Sequence, residues 1–234
     1  MVSSSALRLY LDTADITQWQ TWLPTGLFYG VTCNPLLLER ANVACDLNTL
    51  QSLTQQAEKL GAKEVHLQAW GDSVASLIHV GCALSKFSPQ VVVKVPATRS
   101  GTEAANRLIQ QHHIPVTLTA IYAVHQVLIA TALGASYAAP YLGRINDSGR
   151  DGQAELAAMQ QALNGVGSGT RLLSASIRKV EEISVLAAQG VDTFTFSPAI
   201  AQSLFDVPET INATADFERA AKKMAPLDSS GRSV

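Results

Sequence analysis

Lys94 stands inside the run Val91-Val92-Val93-Lys94-Val95-Pro96, an ammonium in the middle of a β-branched apolar strand. Desolvation disfavours the charged form of a lysine, so a fraction stands as the free amine that can attack a carbonyl and form a Schiff base. The competing reading is a lysine snorkelling from an edge strand. Two further polar groups interrupt or end apolar strands in a similar way, Asp12 after Leu9-Tyr10-Leu11 and Asn34 after Val31-Thr32-Cys33. An inward carboxylate, carboxamide and ammonium near one pole of a fold are costly to bury unless they pair with one another or with a ligand. For Asp12 the alternative is an Asx turn that closes its own strand with help from Thr13.

These three residues need elements that aim them at one point. Eight strand-like runs begin at Arg8, Tyr29, Val65, Val91, Val116, Tyr137, Leu172 and Thr193. Segments with helical periodicity lie between them, for example Ala123 to Leu133 and Lys179 to Gln189, with Gly134 and Gly190 where a helix C′ glycine belongs. Strict alternation of strand and helix implies an α/β fold with a parallel sheet, and eight units imply a single (β/α)8 TIM barrel. A doubly wound open sheet is the runner-up, yet no GxGxxG or GxxxxGK[ST] loop follows a strand.

A barrel strand faces helices on one side and the barrel interior on the other, so its sequence carries a second test. Leu9 and Leu11 oppose Tyr10 and Asp12; Val31 and Cys33 oppose Thr32 and Asn34; Val65, Leu67 and Ala69 oppose His66 and Gln68. Val93 and Val95 oppose Lys94, and Val116, Leu118 and Ala120 oppose Thr117 and Thr119. On the seventh run Leu173, Ala175 and Ile177 oppose Ser174 and Ser176, and on the eighth Phe194 and Phe196 oppose Thr195 and Ser197. The polar set is expected to point inward, mostly toward the C-terminal ends where barrel enzymes keep their active sites. Ser174 and Thr195 read as inward fillers of a barrel layer.

The chain has 234 residues, 47% hydrophobic and 15% charged, enough for one large domain with a full core. Seventeen basic against nineteen acidic side chains leave no electrostatic case for nucleic acid or a membrane surface, so the partner is expected to be a small molecule. Cys33, Cys45 and Cys82 lack a CxxC spacing, and their odd number fits a reducing cytoplasm better than a disulfide framework. His66, His79, His112, His113 and His125 fall in different elements, so no metal site is expected. The expected organisation is a disordered lead-in over 1–6 without the marks of an export signal, a barrel over 7–220 and a C-terminal tail over 221–234.

Five fragments match, in order, the transaldolase family in its short-chain branch. They are Leu9-Tyr10-Leu11-Asp12-Thr13-Ala14-Asp15, Gly30-Val31-Thr32-Cys33-Asn34-Pro35, Val93-Lys94-Val95-Pro96, Ala139-Pro140-Tyr141-Leu142-Gly143-Arg144-Ile145 and Ala175-Ser176-Ile177-Arg178. The resemblance implies a Schiff-base barrel enzyme acting on sugar phosphates, with Lys94 as the nucleophile and with no metal and no organic cofactor. It implies that Asp12 handles protons at the substrate hydroxyls, that Asn34 bonds the bound three-carbon unit, and that Thr32 and Ala139 also meet substrate. Arg144, Ser176 and Arg178 are implied to hold the phosphate, for which a planar guanidinium is suited. Arg99 reads as a surface charge. The family's pentameric rings, paired into decamers, imply a homo-oligomer in which the tail contacts a neighbouring subunit.

Two chemistries occur in this family. Transaldolases, as in the pentose phosphate pathway, pass a dihydroxyacetone unit between sugar phosphates; fructose 6-phosphate aldolases release it. Transaldolases carry a glutamate on the third strand, an asparagine on the fifth and Ser-Pro-Phe on the sixth, where this chain has Gln68, Thr117 and Ala139-Pro140-Tyr141. These departures resemble the aldolase branch, whose water-holding set corresponds to Gln68, Thr119 and Tyr141. A phenol can donate to and accept from that water, whereas a phenyl ring cannot. The expected activity is reversible cleavage of fructose 6-phosphate into dihydroxyacetone and glyceraldehyde 3-phosphate. The alternatives are a transaldolase and a catalytically silent sugar-phosphate binding protein. Cys33, where the family has threonine, is expected to tune packing.

Overall fold

In the computed structural model, which describes residues 7–224, eight parallel strands close into a barrel in chain order. The strands are β1 (Arg8–Asp12), β2 (Gly30–Thr32), β3 (Glu64–Gln68), β4 (Val91–Pro96), β5 (Val116–Ile121), β6 (Tyr137–Pro140), β7 (Arg171–Ser174) and β8 (Thr193–Phe196). The helices are α1 (Ile16–Trp22), α2 (Pro35–Arg40), α3 (Leu47–Lys59), α4 (Val74–Ser85), α5 (Arg99–His112), α6 (Val124–Leu133), α7 (Leu142–Asp147), α8 (Gly152–Gly165), α9 (Glu181–Ala188), α10 (Pro198–Ser203) and α11 (Pro208–Met224). β8 pairs with β1 and closes the ring, so the architecture is the single (β/α)8 barrel. The lead-in at 1–6 and the tail beyond Met224 lie outside the described residues.

Local chemistry sets where the helices begin. Asp15, Asn34, Asp46, Ser73, Thr98, Asp151 and Ser197 each accept a hydrogen bond from a backbone N–H of the first turn that follows. Each such cap is worth about 1 kcal/mol. At the other end, Gly134 (φ +74) and Gly190 (φ +93) take the left-handed conformation that stops α6 and follows α9.

Two apolar layers hold the barrel. Leu9, Leu11, Val31, Val65, Leu67, Val93, Val95, Leu118, Phe194 and Phe196 pack outward against the helices. Each such fully buried side chain contributes about 1.5–3 kcal/mol relative to exposure. Tyr10, Val92, Tyr137, Ala139 and Leu173 form a separate inner cluster that fills the barrel.

β7 departs from the expected facing. Leu173 joins the inner cluster, and Ser174 pairs in register with Phe194 of the outer layer, so Ser174 is not an inward filler. Its Oγ is buried without a hydrogen-bond partner. The reason is register: both faces of this strand are buried, so polarity alone does not choose the inner one. Alternation resumes differently after the strand, because Ser176 takes φ +59 and turns toward the interior. Ala120 is a second departure, a bulge residue at φ +58. The pairing steps from Thr119–Ala139 to Ile121–Pro140, so Ile121 takes the outward position expected of Ala120.

Candidate active site

Lys94 sits in the middle of β4, 4% exposed, between Gln68 of β3 and Thr117 of β5 in the ladder. Its Nζ donates to the backbone carbonyl of Cys33 at 3.0 Å, which fixes the amine at the end of β2. Burial pushes the Cys33 thiol up to about 12, which keeps it a packing group rather than a nucleophile.

Asp12 ends β1, and its Oδ1 accepts from Thr32 Oγ1 at 2.6 Å. The carboxylate thus bonds across to β2 rather than closing a turn on its own strand. Thr32 in turn lies 2.6 Å from Thr195 Oγ1, so a hydroxyl pair sits under the carboxylate. Asn34 caps α2, its Oδ1 accepting from Leu37 N at 3.1 Å, which leaves the Nδ2 group to donate into the cavity.

Across the barrel, Tyr141 hydroxyl and Thr119 Oγ1 are 2.9 Å apart. The Arg144 guanidinium lies 4.9 Å from the centre of the Tyr141 ring and donates to the Tyr122 hydroxyl at 3.4 Å, a bond that holds its pKa up. Arg178 is forked onto Asp147, with one contact at 2.6 Å and a second, shorter one between Nη2 and Oδ2. Glu182 anchors the loop from inside by accepting from the backbone N–H groups of Arg178 and Lys179 at 2.9 and 3.1 Å.

The ends of β6 and β7 are stitched together by backbone. Leu142 N donates to Ala175 O at 2.9 Å, and Gly143 N to Ser176 O at 3.0 Å. A Cβ on Gly143 would lie 2.5 Å from that Ser176 oxygen and 2.6 Å from Arg178 Nε. Gly143→Ala is therefore expected to lower stability by about 1–3 kcal/mol, read as a fall in the chemical denaturation midpoint. An unchanged midpoint would show that the junction yields without cost.

Asp12, Asn34, Lys94, Thr119, Ala139, Tyr141, Arg144, Ser176 and Arg178 all line one cavity of about 330 Å³ at the C-terminal mouth. That size suits a small phosphorylated sugar. Two of the expected residues do not line it: Thr32 is fully buried beneath Asp12, and Gln68 stands beside Lys94 in the ladder without reaching the cavity wall. Leu36, Leu37 and Arg40 of α2 line it without having been anticipated. Their spacing of one and four residues after Leu36, in a helix started by Asn34-Pro35, was the signal available in the sequence. Among the described residues no group of three His, Cys, Asp or Glu side chains could hold a metal ion, and no helix is long and apolar enough to cross a membrane.

Below the cavity a polar network threads the inner cluster. Glu64 accepts from Tyr10 and Tyr137 hydroxyls at 2.8 and 2.7 Å and from Arg8 Nη1 at 3.1 Å; Arg8 also donates to Tyr137. His66 Nε2 faces Glu64 at 3.1 Å and His66 Nδ1 faces Thr117 Oγ1 at 3.0 Å. The carboxylate neighbour puts the ring proton on Nε2, and Nδ1 then accepts from Thr117. Burial pushes the His66 pKa down, so the ring is neutral in the folded barrel. Burial raises Glu64, but the hydrogen bonds from His66, Tyr137 and Tyr10 outweigh it and hold the carboxyl at about 2. Burial pushes Tyr137 up to about 12.

A closed barrel with a polar cavity at the C-terminal ends of its strands and a buried lysine on the fourth strand defines an enzyme of the (β/α)8 class. The chain belongs to the Transaldolase/Fructose-6-phosphate aldolase family, whose model matches residues 9–231. A probable transaldolase of Phenylobacterium zucineum is 32% identical over 213 residues, covering 90% of this chain and 94% of the relative. A probable transaldolase of Mesorhizobium japonicum is 29% identical over 211 residues, with the same two shares. Among solved structures, a mandelate oxidase variant with an FMN adduct superposes with a TM-score of 0.56 at 16% identity. The match covers 83% of this chain and 66% of the oxidase, and it reports the shared barrel alone.

Proposed function

We propose that this enzyme is a Schiff-base aldolase that reversibly cleaves fructose 6-phosphate into dihydroxyacetone and glyceraldehyde 3-phosphate. The observation that carries the reading is Lys94, the one lysine among the residues lining the cavity, on the strand next to the one that carries Thr119 of the Tyr141–Thr119 pair. The free amine adds to the C2 ketone and water leaves, forming a protonated Schiff base. A base takes the proton of the C4 hydroxyl; the C3–C4 bond breaks, the aldehyde departs, and the electron pair passes into the iminium to give an enamine. Protonation of the enamine carbon and addition of water then release dihydroxyacetone and restore the lysine.

Asp12, adjoining the Thr32 and Thr195 hydroxyls, is suited to move the hydroxyl protons, and Asn34 Nδ2 to hold the three-carbon unit. Thr32 acts through Asp12, and Ala139 leaves room beside the lysine. Ser176, Arg144 and Arg178 take the phosphate. Thr119 and Tyr141, hydrogen-bonded to each other, hold the hydrolytic water, and Gln68, set back from the cavity wall beside Lys94 in the ladder, does not touch it. The molecule acts in the cytoplasm as a homo-oligomer: α11 buries none of its residues and leaves Ile211, Phe217 and Met224 exposed for a second copy.

A second reading, transfer of the dihydroxyacetone unit to another sugar phosphate, is favoured by the relatives, both called probable transaldolases. The experiment measures glyceraldehyde 3-phosphate released from fructose 6-phosphate with and without erythrose 4-phosphate. Sustained turnover without the acceptor, with free dihydroxyacetone accumulating, is the expected result; turnover that requires the acceptor would make the enzyme a transaldolase. Tyr141→Phe is expected to reduce release relative to transfer by about 10-fold or more, since the phenyl ring cannot exchange a proton with the water. An unchanged ratio of the two activities would remove the reason for preferring hydrolysis.

A further inference from the structure

We propose that Arg40 is a substrate-binding residue, one that takes the phosphate of the sugar phosphate from the α2 side of the mouth. This rests on the sugar-phosphate reading above and adds a group that the family motifs leave out. α2 is a helix of six residues between β2 and α3, and Leu36, Leu37 and Arg40 form its cavity-facing side, at spacings that share one helical face. Leu38, on another side, packs into the core at 2% exposure and fixes the helix in rotation. Arg40 therefore overlooks the cavity because the helix is pinned by its neighbour, and not merely because it is long.

Three arginines line this cavity, and two of them are already engaged. Arg178 is forked onto Asp147, and Arg144 lies over the Tyr141 ring with a bond to Tyr122. Arg40 makes no ion pair and no side-chain hydrogen bond among the described residues. The one carboxylate among the lining residues, Asp12, is tied to Thr32 at the floor. Arg40, Arg144 and Arg178 thus put three guanidinium cations on the cavity wall against a single lining carboxylate, an excess that suits a phosphate dianion. A basic residue in the last turn of a helix also complements the helix dipole, but that role asks only for solvent and gives no reason to face a cavity. An exposed guanidinium with no counter-charge is the group whose fork is open for two parallel bonds to phosphate oxygens.

The probe is inorganic phosphate, titrated calorimetrically into the wild-type enzyme, Arg40→Gln and Arg40→Lys. Arg40→Gln is expected to weaken phosphate binding about 10-fold and Arg40→Lys to recover much of it. In steady state Arg40→Gln should raise KM for fructose 6-phosphate by more than it lowers kcat. Equal phosphate affinity in wild type and Arg40→Gln overturns the assignment, as does a wild-type enzyme that binds no phosphate. Borohydride trapping of dihydroxyacetone on the wild-type enzyme, read separately, reports on the Schiff-base reading, so loss of one can be told from loss of the other.

Discussion

Lys94→Met is expected to abolish borohydride trapping of dihydroxyacetone and to reduce cleavage of fructose 6-phosphate by about 10⁴-fold or more, as loss of a covalent nucleophile does. The replacement has similar length and no charge, so it fits a position that is only 4% exposed. The hydrogen bond lost is the one to the Cys33 carbonyl, worth about 1 kcal/mol, and the cost of burying a polar amine goes with it. The variant should therefore fold with a melting temperature close to that of the wild type. Intact-mass measurement after borohydride treatment checks the result directly. A dihydroxyacetone adduct that persists on another lysine would sink the assignment of Lys94.

The second large effect concerns stability and lies away from the chemistry. Glu64, with its carboxyl held at about 2, is ionised in the folded barrel down to strongly acidic pH. Against an ordinary glutamate value of about 4.3, that difference caps the contribution at about 3 kcal/mol of folding stability. At neutral pH it is smaller, because part of the depression comes from a charged His66 and the ring is then neutral. A depressed carboxyl stabilises fully above its unfolded value, and the contribution fades as pH falls from about 4.3 to about 2. His66 acts with the same sign, because burial favours its neutral form and acidification below about 6.5 favours the unfolded chain, where the ring is free to charge.

Glu64→Gln should thus destabilise the enzyme by about 1–3 kcal/mol at pH 7, a loss of about 2–12 °C in melting temperature, with the gap to wild type narrowing toward pH 2. Denaturation curves of both proteins at a series of pH values test this. Parallel pH profiles would mean that the carboxylate is not what makes the barrel acid-sensitive.

Much of the architecture was legible because its signal is local. Alternation within β1 to β4 and β8, strand starts within one residue of those expected, and left-handed glycines at the ends of α6 and α9 all follow from short-range chemistry. Lys94, Asp12 and Asn34 stood out as polar breaks in apolar runs, and they do meet at one cavity. Leu173 and Ser174 were assigned to the wrong faces because the twist and register that orient β7 come from its neighbours. The Glu64 network was invisible for a related reason: its partners Tyr10 and Tyr137 lie 54 and 73 residues away, and no local pattern announces such pairings. Arg40 carried no signal of its own in the sequence, because its orientation depends on how Leu38 docks α2.

The inner cluster of Tyr10, Val92, Tyr137, Ala139 and Leu173 is almost wholly shielded from solvent, so the barrel has a stopper beneath its reactive amine. Among the described residues, the cavity that Lys94 lines opens at the C-terminal mouth. On the proposed aldolase reading, the departing aldehyde, the incoming water and any acceptor all share that mouth. Hydrolysis and transfer become a contest over which visitor enters first, and the residues on the rim of that mouth act as its referees.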